Sequence, residues 1–328
     1  MANARDQILD WTDQGRIAPG KLRAALEAGG ALPDASQWRR FLDRLLLWMG
    51  SVMLACAAIF FFAFNWAEMG RLAKIGLVEA PILGALFLLW RLGLERAAGK
   101  AALFAAALLA GGLLALIGQI YQTGADTWEL FAVWAAAILP WTLVGRLTAL
   151  WVLWLALLNL AVALYYLTFG FLWGFVFAPE RLMWMLFGLN TAALVAWEAC
   201  AAAGLEWLRE RWSVRIVATA SGTLVTWLAL VHILDWRGSG STHWGLPLWL
   251  AWMAAAYAAY RHRLKDVYVL AGGVLSAIVV IATFLAKNMA SHADAGAFLF
   301  IGLVIIGLSA AGGWWLKRVL NEQDGEAA

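Results

Sequence analysis

Four histidines, His232, His243, His262 and His292, and a thin scatter of carboxylates are the residue types in this chain that could ligate a metal or move a proton. His232 and Asp235 stand three apart, a spacing that shares one helical face. Imidazole with carboxylate suits Zn²⁺ or another transition metal, and His243 and His292 with Asp294 would have to complete such a set. Histidines in loops that are simply solvated give the same pattern, and no metal or other cofactor is expected. Ser221, within Thr219-Ala220-Ser221-Gly222, is a hydroxyl inside an apolar run. As a nucleophile it would need a histidine base on a neighbouring span, yet all four histidines fall at span ends or in loops. There is no His-Glu-x-x-His, no P-loop and no dinucleotide glycine pattern, so catalysis is not the expectation.

Carboxylates inside apolar runs are expensive and are site candidates for that reason. Glu79 lies beside Pro81 and either pairs with Lys74 or Arg71 or faces a cavity as a protonatable group. Glu198, near the end of its run, is expected to reach the interface. A denser group surrounds two loops: Asn65 and Glu68 after one span, Gln119, Tyr121 and Gln122 at the end of another, then Asp126 and Glu129. Meeting on the outer side, these seven would form a polar pocket mouth. The alternative is that they cap helices and satisfy loop backbone, which is the expectation for Asn65 and Asp126.

The elements that would position these residues are membrane spans. Of the 328 residues, 64% are hydrophobic and 14% charged, too apolar a balance for a soluble globule. Ten apolar runs are long enough to cross a bilayer, at about 45–65, 72–92, 101–121, 128–145, 148–168, 182–203, 214–234, 245–260, 267–286 and 296–316. The expected fold is therefore an all-α polytopic bundle. Placing the N-terminus in the cytoplasm puts nineteen of the 24 Lys and Arg inside, so both termini are expected there. The same bias accounts for the net charge of +3, and no nucleic-acid partner is indicated. The 22 Trp suit aromatic belts at the two interfaces.

Residues 1–44 read as a cytoplasmic helical segment: one helix ending at Gly15, and a second entered at Pro19 and running to Gly29. Residues 45–316 form the bundle and 317–328 a cytoplasmic tail. Leu109-Ala110-Gly111-Gly112-Leu113-Leu114 is matched by Leu270-Ala271-Gly272-Gly273-Val274-Leu275, which would suit a weak repeat of spans 1–4 in spans 7–10. Chance similarity between Ala/Gly/Leu-rich helices produces the same match.

The run Phe61 to Leu77, FFAFNWAEMGRLAKIGL, and the loop Gly118 to Ala135, GQIYQTGADTWELFAVWA, resemble the bacterial family catalogued as domain of unknown function 2157. The Asp13-x-Gly15-x-Ile17 turn is similar too, and the resemblance covers roughly residues 5–165. It implies a multi-spanning bacterial inner-membrane protein and supplies no activity, substrate or cofactor. The expected function is a non-enzymatic membrane component in contact with lipids, whose residues 1–44 are expected to dock onto its own bundle or, as the alternative, onto a cytoplasmic partner. The alternatives are a transporter or lipid and small-solute handling protein using the outer pocket and, after it, an intramembrane enzyme.

Overall fold

A computed structural model describes residues 8–9, 11–12, 14–30, 35–64, 70–122, 124–169, 179–234, 244–289 and 295–326. Among the described residues eleven α-helices follow one another: α1 (Leu22–Ala28), α2 (Ala35–Phe64), α3 (Arg71–Leu92), α4 (Ala97–Tyr121), α5 (Thr127–Gly145), α6 (Thr148–Phe169), α7 (Pro179–Ala202), α8 (Arg211–Leu234), α9 (Gly245–Ala258), α10 (Val267–Met289) and α11 (Ala295–Glu326). No strand occurs among the described residues. Helices are the elements such a sequence can use, because each satisfies its own backbone where lipid offers no hydrogen bond.

Nine of these helices, α2 to α8 with α10 and α11, are long and apolar enough to cross a membrane. They fall on nine of the ten expected spans. The tenth, 245–260, is α9, whose 14 residues cover about 21 Å. Its helix then loosens into a π turn over Ala259–Arg263. At the other extreme, like the 32-residue α11, α2 with 30 residues is about 45 Å long and exceeds a hydrocarbon core of about 30 Å. It begins at Ala35, ahead of the expected start of the first span.

The chain forms two compact units, residues 47–252 and residues 1–46 with 253–328. The larger unit is built from the packed helix pairs α3/α4, α5/α6 and α7/α8. Ala55, Val78, Ile82, Leu109 and Leu116 make one core between α2, α3 and α4. Leu103, Ala107, Ala135, Ile138, Leu150 and Leu157 make another between α4, α5 and α6.

Tryptophan does more here than line the interfaces. Trp134 donates its ring N–H to the Ala107 carbonyl at 2.8 Å, and Trp154 donates to the Ala135 carbonyl at 3.1 Å. An indole buried between helices must find an acceptor, and the carbonyl of a facing helix is the one in reach. The Trp134 ring lies so close that a Cβ at Gly111 would stand 2.4 Å from it. Gly111 and Trp134 thus form one packing device, with the hydrogen bond made a turn away at Ala107.

In the smaller unit, Gly15 takes φ +71 and its N–H bonds the Thr12 carbonyl, ending the first helical turns where the sequence placed the break. Ile8 is buried against Gly29, the glycine that follows α1. α10 and α11 pack as a hairpin, with Val274 filling the space beside Gly312. Buried Asp266 accepts the Tyr268 N–H at 3.1 Å and so caps the start of α10. The two Gly-Gly pairs of the sequence similarity meet different neighbours. Gly111 and Gly112 face Trp134 and Ile59; Gly273 faces the terminal methyl of Met253, and nothing lies within 4 Å of a Cβ at Gly272.

Candidate functional site

Polar side chains meet halfway along α6, α7, α8 and α9. Asn159 and Asn190 face each other across α6 and α7 with their amides reciprocally bonded, at 3.3 Å one way and 2.6 Å the other. Each spends its second N–H on the carbonyl four residues earlier, Leu155 and Leu186, at 2.8 Å. Every amide donor is thereby used. One residue on, Thr191 shares a 2.7 Å hydrogen bond with Ser221 of α8, and Ser221 also accepts the Trp252 ring N–H of α9 at 3.1 Å. Asn190 and Ser221 are buried.

This belt ties four helices together at a depth where an unpaired amide would cost several kcal/mol. Interhelical bonds of this kind contribute roughly 0.6 kcal/mol on average and up to about 1.7 kcal/mol. α9 reaches the belt by close approach. A Cβ at Gly245 would stand 2.4 Å from the Leu228 carbonyl, and seven residues later Trp252 meets Ser221, so α9 runs antiparallel to α8. The Ser221 hydroxyl has Thr191 and Trp252 as partners, and no histidine base among the described residues. Neutral amides and hydroxyls hold helices or bind a neutral ligand; they do not carry acid–base chemistry at ordinary pH.

A second polar layer closes one end of the same helices. Arg211 donates to both oxygens of Glu198, at 3.2 and 3.3 Å. Glu198 therefore pairs with a cation of the neighbouring helix at the end of its span. Glu210 accepts from Thr148 at 2.7 Å and from the Trp212 ring at 2.9 Å. It stands just before α8, where the partial positive charge of a helix start favours a carboxylate.

The residues singled out in the sequence are placed as follows. Gln119 and Tyr121 are exposed in the last turn of α4. Gln122 takes φ +45 and its N–H bonds the Gly118 carbonyl, so it caps α4 through its backbone. Asp126 has the extended backbone of an N-cap before α5, with no side-chain capping bond, and Glu129 is half-buried in the turn after it. Among the described residues no hydrogen bond links these side chains; chain proximity alone brings them to one end of α4 and α5. Glu79 is exposed, roughly 100° round α3 from Val78, which packs toward α4. It forms no ion pair with Arg71 or Lys74 among the described residues. His232 is half-buried near the start of α9, and His262 is exposed with its ring edge-on to Tyr257. Asn65, Glu68, Asp235, His243 and His292 lie outside the described residues. Among the described residues no three His, Cys, Asp or Glu side chains stand close enough to hold a metal.

Asn159 and Asn190 carry a signal in the sequence. Each is a lone amide near the middle of an otherwise apolar span, the pattern expected of an interhelical hydrogen bond.

Residues 9–151 match the model of the family described as Predicted membrane protein (DUF2157). The match runs from the first helical turns to the start of α6 and contains both quoted motifs. The polar belt lies outside it. No curated protein and no solved structure matches the chain.

Proposed function

We infer, from the match of residues 9–151 to a membrane-protein family and from the course of α2, that the protein is a non-catalytic component of a bacterial inner membrane that docks a cytoplasmic partner. The observation that carries this reading is the exposed stripe Trp38, Phe41, Leu42 and Leu45 in the first turns of α2, a helix longer than a bilayer core. Their spacing of i, i+3, i+4 and i+7 sets them on one helical face, the pattern by which one helix lays into the groove of another. Arg39, Arg40 and Arg44 flank the stripe, so the complementary partner presents an apolar groove with acidic borders. The Lys and Arg distribution supports cytoplasmic termini, and an even span count follows if α9 crosses with its π turn. The fully bonded belt supports a holding role for the interior.

A photo-crosslinking residue at Trp38 in intact cells tests the reading, with one at Trp90, exposed on α3, as the reference. A discrete protein adduct from position 38 that Phe41→Asp and Leu45→Asp abolish is the expected result. Lipid adducts alone from both positions overturn it. The remaining reading, solute handling at the exposed Gln119 and Tyr121 end of α4, then has the stronger claim.

A further inference from the structure

We propose that the end of the α10–α11 hairpin carries a binding site for the head group of an anionic phospholipid. A groove of about 490 Å³ runs along α11, lined by Trp314, Lys317, Arg318, Asn321 and Glu322. Glu322 is bonded by Arg318 at 3.0 Å and by Arg261 from the π turn after α9. One carboxylate thus orients two guanidinium groups from separate elements, and each keeps N–H donors that Glu322 does not use. Lys317 is exposed in the same groove, and among the described residues it forms no ion pair. Lys317 and Arg318 in the lining, with Arg261 adjoining through Glu322, set three cations against one anion among the described side chains.

Its depth selects the ligand. Trp314 is 67% exposed, and Trp315 stacks on Tyr257 with ring centroids 6.1 Å apart. Indole and phenol rings followed within one turn by Lys and Arg mark the level at which a span leaves hydrocarbon for head groups. Arginine forks suit phosphate oxygens, Asn321 offers an amide for glycerol or phosphate, and the Trp314 face supports the first acyl carbons. A basic pocket beside a span at this level is the usual physical setting for a phosphatidylglycerol or cardiolipin head group.

The full-length protein in neutral micelles is titrated with phosphatidylglycerol and, separately, phosphatidylethanolamine, with bound lipids counted by native mass spectrometry. Preferential uptake of phosphatidylglycerol is expected, weakened roughly tenfold to thirtyfold by Lys317→Gln with Arg318→Gln. Arg91→Gln with Arg96→Gln removes the same charge from the α3–α4 turn and is expected to leave uptake within about twofold. Lys317→Gln alone, at an exposed side chain, should weaken binding roughly fivefold, and Lys317→Arg should preserve it, so the test survives misfolding of the double variant. Equal losses in the two double variants would mean diffuse surface charge and overturn the site. Displacement of the lipid by millimolar inorganic phosphate would overturn the lipid assignment.

Discussion

The middle of α6 to α9 and the loop end of α4 and α5 both concentrate polar side chains, and they use them in opposite ways. At mid-depth Asn159, Asn190, Thr191 and Ser221 bond to one another or to backbone, and Trp252 closes the set. At the loop end Gln119, Tyr121, Gln122 and Asp126 stay exposed, and the capping of α4 is done by backbone. Solvent makes the difference. Head groups and water satisfy a glutamine at no conformational cost, whereas hydrocarbon offers nothing, so an amide at mid-depth must find its partner within the protein. Polarity alone therefore says little about a site in such a chain; depth decides whether a polar residue is a fastener or a free contact.

Substitutions should separate the two regions by size of effect, read from SDS-induced unfolding in mixed micelles. The largest loss is expected inside the bundle at Gly111→Val, which drives a side chain into the Trp134 ring and breaks its bond to Ala107, costing about 3 kcal/mol. Asn190→Ala leaves the Asn159 amide oxygen and one of its N–H groups unpaired and should cost about 2 kcal/mol. Replacing both asparagines by alanine should cost clearly less than the sum of the single losses, because no orphaned amide remains. Ser221→Ala removes the hydroxyl that bonds both Thr191 and Trp252, for a loss of about 1 kcal/mol. At the loop end Gln119→Ala should change stability by less than about 0.5 kcal/mol. A loss there as large as that of Asn190→Ala would break the contrast and mark a packed site at the end of α4.

Much of the fold was legible because hydropathy and helix length report directly on a bilayer. The span ends expected at 92, 121 and 145 are helix ends in the structure, set by Gly93 and by αL turns at Gln122 and Arg146. The candidate site was less legible. Glu79 and the Gln119 group attract attention by residue type, yet their surroundings depend on which helical face meets a neighbour. Of the belt only Ser221 was singled out in the sequence; Asn159 and Asn190 were passed over, and the pairing across 31 residues, Asn159 to Asn190 and Trp252 to Ser221, follows from packing alone. Nor did composition distinguish interfacial tryptophans from Trp134 and Trp154, which fasten helices together.

What the amino-acid sequence determined by itself is the solvent, the element type and the approximate span boundaries, since each follows from local transfer free energy and from the need to satisfy backbone within one helix. What only the tertiary structure decided is the rotation of each helix about its axis. That rotation turned two lone asparagines into a bonded pair, pressed Gly111 against an indole and left Trp38 to Leu45 as an open stripe. Helices apolar all round carry little information about which face turns inward. Side-chain shape and a few polar contacts between helices supply it.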